Sequence, residues 1–260
     1  MTGFLFHDIV FGPVRSRRFG VSLGINLLPL NTKVCSFNCI YCECGLTPEC
    51  PEPSAGGFYP REAIRQAMET RFTELAAKGI QPDNITFAGN GEPTLHPEFD
   101  LIIDDTIALR NKFFPGSKIT VLSNATTLSD SQIKDALLKI DNNVLKLDAG
   151  TDEYLQLIND PLGKISLAEI VSNLKQFNGN LIIQSLFLRG NINGKYFDSG
   201  SEDHVKAWLE QIREIAPKLV MIYPIDRATP VAGLEKLTPE ELDRIAEQLN
   251  EMGIETEVYY

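Results

Sequence analysis

The run Cys35-Ser36-Phe37-Asn38-Cys39-Ile40-Tyr41-Cys42 follows a stretch in which Val21, Leu23, Ile25 and Leu27 alternate with Ser22, Gly24 and Asn26. That period of two reads as a strand, so the three cysteines sit on the loop leaving its carboxyl end. Three thiolates on one short loop have no fourth ligand at an obvious partner distance. A cubane iron–sulfur cluster ordinarily takes four cysteines, so three would leave one iron open to a small molecule, as catalytic metal sites keep an open position. A structural zinc site would need a second ligand pair, and His7, His96 and His204 stand alone in unrelated segments. Cys44 and Cys50 follow closely. Either could complete a local four-cysteine site, lie near a substrate, or be a chance neighbour, which is the favoured reading.

Downstream of the loop, strand-like and helix-like segments alternate. Ile64, Ala67, Met68, Phe72, Leu75 and Ala76 form one helical face after a Pro/Gly-rich stretch from Pro48 to Pro60. Strands are predicted at 85–88, 119–122, 144–147, 181–188 and 219–223, with helices between them. One of those helices is capped near Ser129, and Ser166 with Glu169 reads as the capping box of another. Thr238, Pro239 and Glu241 start a last helix, and Ile254, Thr256 and Val258 alternate with glutamates as an exposed edge strand would.

Repeated βα units predict an α/β fold with about six parallel strands, either an open sheet or a barrel, and a site at the strands' carboxyl ends. Polar groups gather at those ends: the Asn90–Glu92 loop, Ser123 and Asn124, Asp148, Gln184 and Tyr223. The chain's 260 residues suit one domain, 1–260, with a core at about 19–225 and a carboxyl-terminal helix and strand at 238–259.

The net charge of -11, from 24 basic and 35 acidic side chains, argues against bulk nucleic-acid binding without a local basic patch. Arg15, Arg17 and Arg18 form a local basic cluster, either an anion anchor for substrate or cofactor or a solvated run. All five cysteines fall between 35 and 50, which favours a metal site in a reducing compartment over a disulfide framework. The first residues lack the pattern of a signal peptide, and no apolar run is long enough to span a bilayer, so a cytoplasmic protein is expected.

CSFNCIYC, with Tyr41 before the third cysteine, resembles the cluster loop of the radical S-adenosylmethionine superfamily. Asn90-Gly91-Glu92-Pro93 resembles that family's Gly-Gly-Glu-Pro motif, with Asn90 in place of a glycine. The string GPVRSRRFGVSLGINLLP together with the cysteine loop is similar to the standalone group related to wyosine-base tRNA synthases.

The resemblance implies a partial (β/α)6 TIM-type barrel. In it Cys35, Cys39 and Cys42 would hold a [4Fe-4S] cluster whose open iron is chelated by S-adenosylmethionine. Reductive cleavage would give a 5′-deoxyadenosyl radical that abstracts hydrogen from a substrate. Gly91, Glu92 and Pro93 match the stretch that meets the methionine amino group, through exposed backbone and a carboxylate. Ser123 and Asn124 fall where the carboxylate and ribose are contacted. Asp148 and Gln184 are candidates for ribose or substrate, and Tyr223 for the adenine. A flavodoxin or ferredoxin would be the reductant, and a small metabolite or peptide the substrate. The alternatives are a tRNA base-modifying enzyme or a non-catalytic zinc or iron–sulfur module. With no further cysteine cluster after Cys50, an auxiliary cluster domain is not expected.

Overall fold

The protein is described here as a computed structural model covering residues 3–47, 57–192 and 194–260. Cys50 lies outside the described residues. The chain opens with a hairpin, β1 (Val10–Ser16) and β2 (Gly20–Ile25), paired antiparallel. Then come α1 (Arg61–Ala77), β3 (Asn84–Phe87), α2 (Phe99–Phe113), β4 (Lys118–Ser123), α3 (Ser131–Leu138) and β5 (Asn142–Lys146). A single turn, α4 (Asp152–Tyr154), runs into a π-helical segment, Leu155–Asn159, and on to α5 (Leu167–Lys175). The remainder is β6 (Ile182–Ile192), β7 (Lys195–Asp198), α6 (Glu202–Ile215), β8 (Leu219–Pro224), β9 (Leu234–Lys236), α7 (Pro239–Glu251) and β10 (Thr256–Val258).

The main sheet runs β1-β2-β3-β4-β5-β6-β8-β10, with β7 and β9 paired antiparallel to the far half of β6. The six expected strands are β2, β3, β4, β5, β6 and β8, and β10 adds a seventh parallel strand beside β8. The sheet does not close, because β1 and β10 are separate edges. It is a partial barrel.

The hairpin strand β1 was not expected. Gly12-Pro13 interrupts it and its register shifts between Phe11 and Val14, the bulged, edge-only strand that proline permits. The helix after β4 is capped one residue later than predicted, by Asp130 accepting from Gln132 N–H. Ser166 accepts from Glu169 N–H, and Thr238 and Glu241 form the full reciprocal box.

Alternation along the strands separates two faces. Leu23, Ile25, Ile85, Phe87, Ile119 and Val121 join α1's Ile64, Met68 and Phe72 in the core beneath the helices. Trp208 of α6 anchors the other end of that core, edge-on to Phe187 at 5.1 Å, with its indole N–H on Leu147 O at 2.9 Å. The intervening residues face the barrel interior, and many are polar. Ser22 Oγ and Thr86 Oγ1 lie 2.7 Å apart, and Thr120 Oγ1 donates to Asn84 Oδ1 at 2.6 Å. These interior polar groups satisfy one another, as buried polar groups generally do.

Candidate active site

The cysteine loop leaves β2 and crosses the carboxyl ends of the strands. At one side Val34 bridges Gly91, with Val34 N–H on Asn90 O at 2.9 Å and Glu92 N–H on Val34 O at 3.0 Å. Gly91 has φ +136°, and a Cβ there would stand 1.8 Å from Val34 O, so only glycine lets the two backbones meet. At the other side the loop lies on the π-helical turn after β5. Phe37 bridges Pro161, Asn38 N–H reaches Asn159 O at 2.9 Å, and Ile40 N–H reaches Ile158 O at 3.0 Å. The cysteines are thus held between the ends of β3 and β5.

Donors point at their sulfurs. Phe37 N–H lies 3.4 Å from Cys35 Sγ, Asn124 Nδ2 3.6 Å from the same atom, and Asn159 Nδ2 3.4 Å from Cys39 Sγ. Cys35, Cys39, Cys42 and Cys44 are all free of disulfides. Burial pushes the Cys35 thiol up to about 12 and also raises Cys39. Cys42 is drawn down to about 5, mainly by a hydrogen bond from Cys44, with Lys33 assisting, while Cys44 is raised in return. Cys44 also donates to Gly89 O at 3.3 Å.

These features fit a cluster held by thiolates: unbridged sulfurs, amide donors aimed at two of them, and a buried cation beside a third. Among the described residues no three His, Cys, Asp or Glu side chains converge on one metal ion. A cubane attaches each thiolate to its own iron, so convergence on a point is not what it requires.

The predicted residues divide in role. Asn124 reaches the loop directly, donating to Ser36 Oγ at 2.8 Å as well as toward Cys35. Its Oδ1 accepts from Thr126 N–H and Oγ1, so the capping and the loop contact coexist. Ser123 Oγ accepts from Ala125 N–H at 3.1 Å. Glu92 is buried and its oxygens are engaged: Oε1 by Thr94 N–H and Oγ1, Oε2 by Asn124 N–H at 2.6 Å. Burial raises its pKa above the ordinary carboxylate value, against the Thr94 hydroxyl and the Asn124 amide. The carboxylate therefore splices the β3 and β4 ends together, leaving backbone for any ligand. Pro93 starts the 3-10 turn that Glu92 caps.

Asn90 turns away from the loop's sulfurs. Its Oδ1 accepts from Phe6 N–H at 2.8 Å, and its Nδ2 donates to Phe6 O and Pro29 O, each at 2.9 Å. The departure from glycine thus ties down the amino-terminal segment.

Asp148 is a hub. Its Oδ2 accepts from the Tyr41 hydroxyl and from Asn159 Nδ2 at 2.7 Å, and its Oδ1 from Leu186 N–H at 2.9 Å. Lys146 Nζ stands 3.4 Å from Oδ2 and 2.7 Å from Tyr41 Oη. Burial alone would lower the Lys146 ammonium, but Asp148, Tyr223 and Cys39 raise it. Burial and then Asp148 hold the Tyr41 phenol well above its ordinary value.

Gln184 was expected at a strand end, but it is the third residue of β6, which continues to Ile192. It pairs in register with Lys146, and its Oε1 accepts from Arg18 Nη1 at 2.8 Å. The Arg18 guanidinium lies over the Tyr223 ring, 5.0 Å from its centroid. Arg18 therefore enters the barrel wall, whereas Arg17 bonds Asp226 and Tyr260 O and Arg15 is exposed. Sequence reasoning missed Lys33, Lys146 and Asn159. Asn159-Asp160-Pro161 carries a turn signal, and Lys146 shares the strand parity of Asp148, while nothing local marked Lys33.

Comparison with known proteins agrees with this arrangement. The Radical SAM superfamily description matches residues 32–190, more than half of the chain. A UPF0026 protein of Synechocystis sp. is 30% identical over 227 residues, covering 85% of this chain and 77% of that protein. A protein named GTPase Obg from Brachyspira hyodysenteriae is also 30% identical, over 90% of this chain, which spans only 32% of its length. The crystal structure of a radical SAM methyltransferase from Sphaerobacter thermophilus superposes with a TM-score of 0.67 at 15% identity, covering 92% of this chain and 66% of that one. Family membership implies S-adenosylmethionine and an iron–sulfur cluster. Among the described residues, no helix is long and apolar enough to cross a membrane. The chain belongs to the radical SAM superfamily of enzymes, alongside the standalone UPF0026 proteins.

Proposed function

We propose that Cys35, Cys39 and Cys42 hold a [4Fe-4S] cluster with one iron left open to S-adenosylmethionine, and that the enzyme performs radical chemistry on a small metabolite or peptide. The observation that carries this reading is the cysteine loop itself, seated on Gly91 with amide donors at the Cys35 and Cys39 sulfurs. When bound, the reduced cluster and its cofactor would supply a 5′-deoxyadenosyl radical able to abstract hydrogen.

The chain's own residues orient and shield that chemistry. Asn124 fixes the Cys35 end of the loop to β4, and Asn159 fixes the Cys39 end to the turn after β5. Backbone at Gly91 to Pro93 offers carbonyls for an ammonium group, because the Glu92 carboxylate is already satisfied. Tyr41 stands at the inner wall, clamped by Lys146 and Asp148. Excluding water from such a site protects a reactive species from quenching. A low-potential ferredoxin or flavodoxin would deliver the electron. The acidic chain, at net charge -11, favours a small substrate over tRNA.

The test is anaerobic reconstitution with iron and sulfide, then reduction in the presence of S-adenosylmethionine. Iron uptake, a reduced-cluster signal in electron paramagnetic resonance and release of 5′-deoxyadenosine are expected, all lost when any one of the three cysteines becomes serine. Uptake that survives loss of Cys39, or a reduced cluster that leaves the cofactor intact, would overturn the reading.

A further inference from the structure

We propose that Lys33 is the resident counter-charge of the iron–sulfur cluster, easing its reduction, a role that rests on the three-cysteine reading above. Lys33 is only 3% exposed, yet its Nζ donates to a single carbonyl, Gly45 O, at 2.8 Å. Its charge favours the thiolate form of Cys42, Cys35 and Cys44. Among the described residues no carboxylate pairs with it. Glu43, on the same loop, is turned to Arg227 at 2.6 Å, and Glu92 is occupied by Thr94 and Asn124.

A buried ammonium with one neutral acceptor is costly unless an anion lies beside it. Among the described residues, the anions beside it are the thiolates and the cluster they would carry. The Cys42–Gly45 turn brings the two together, since Gly45 N–H bonds Cys42 O at 2.9 Å while Gly45 O takes the Lys33 ammonium. The cation is therefore fixed to the cluster loop itself, through the Gly45 carbonyl of the turn that Cys42 begins.

Reduction adds one electron from a low-potential one-electron donor to the cluster, with no bond broken and no proton taken up. The cluster becomes more negative by one charge inside a poorly solvated site. A fixed cation there stabilises the reduced form more than the oxidised form, which raises the potential, as net charge and hydrogen bonds to sulfur do for such centres generally. A lysine that merely tied Gly45 in place would act on folding and leave the potential alone.

The experiment is a redox titration of the anaerobically reconstituted full chain, followed by electron paramagnetic resonance, for wild type, Lys33→Met and Lys33→Arg. The Met variant should take up iron and sulfide as the wild type does, yet reduce at a more negative potential and give a several-fold smaller reduced signal at a fixed intermediate potential. The Arg variant, which keeps the charge, should titrate close to wild type. A Met variant titrating with the wild type overturns the proposal, and so does an Arg variant displaced as far as Met. Failure of Lys33→Met to fold overturns it too, because the residue would then be a structural tie. A wild-type chain that takes up no iron would instead remove the three-cysteine reading, and the proposal with it.

Discussion

Lys146 Nζ meets the Tyr41 hydroxyl at 2.7 Å, joining the inner face of β5 to the cysteine loop through one side chain. The same ammonium lies 3.4 Å from Asp148, whose carboxylate also holds Asn159 and the β6 backbone. Replacing Lys146 by Met removes the one cation that, among the described residues, pairs with this buried carboxylate. Three remaining donors soften the loss, so Lys146→Met should cost about 3 kcal/mol, toward the low end for breaking a buried pair. Lys146→Met combined with Asp148→Asn should cost less than the two changes added, by about 1–2 kcal/mol. Urea unfolding of the four proteins measures the difference, and strict additivity would show that the two groups act separately.

Cys44 offers a second test of the ligand set. It donates to Gly89 O and pairs with Cys42 as a hydrogen-bond donor. Serine keeps a donor there, so Cys44→Ser should take up iron and sulfide to near the wild-type level. Cys42→Ser should not. Equal loss in both variants, measured as iron and sulfide per chain, would make Cys44 a ligand.

His204 should impose a pH dependence on stability. Its ring is buried against Tyr154 with a centroid separation of 3.8 Å, and among the described residues neither ring nitrogen has a hydrogen-bond partner. Burial lowers its folded value to about 4, outweighing the nearby Asp148 carbonyl. The unfolded chain binds a proton below about 6.5 while the folded one does not. The neutral ring's contribution is therefore complete above about 6.5 and lost progressively as pH falls toward 4, by roughly 2–3 kcal/mol in all. His204→Phe retains the stack and should flatten this part of the melting-temperature curve. Parallel curves for the two proteins would refute the assignment.

Asn90→Gly restores the glycine of the family motif and cuts the two-point bond to the Phe6 backbone. A stability loss of about 1–2 kcal/mol is expected from the orphaned partners. Limited proteolysis should then cleave near residues 3–9 while iron uptake persists. Unchanged resistance would mean the tether is redundant.

The parallel strands were legible because each carries a short apolar run bounded by turn residues, and the cysteine loop because its spacing has few other uses. The hairpin strand β1 was not, since Gly12-Pro13 breaks its alternation and a bulge absorbs the break. Gln184 was counted among the strand ends although the predicted strand already ran on to Leu188, and β6 goes further still, to Ile192, through polar residues that pair with β7 and β9. Those hairpin contacts are made by distant segments and leave no local pattern.

Among the site residues, the cysteine loop meets Gly91 at the end of β3 and Asn124 at the end of β4. What could not be read was the use made of each carboxylate. Glu92 and Asp148 resemble ligand-binding groups in sequence, but their oxygens are already engaged by Thr94, Asn124, Tyr41 and Asn159. Whether an acid serves a ligand or its own scaffold depends on donors brought from other strands. Lys33 and Lys146 are the converse case, cations whose importance comes only from the neighbours that folding gives them.

The first and last strands of the main sheet share no ladder. Across that seam Arg17 reaches Asp226 at 3.0 Å and Tyr260 O at 2.6 Å, on side chains that remain about half exposed. Exposed ion pairs of this kind contribute about 0–1 kcal/mol and weaken as salt screens them. The rim pair is thus a minor part of that seam, which Arg18 also crosses, to Gln184 and over the Tyr223 ring, while Phe19 packs with Met221. A rise in ionic strength weakens the outer contact and leaves the inner ones in place.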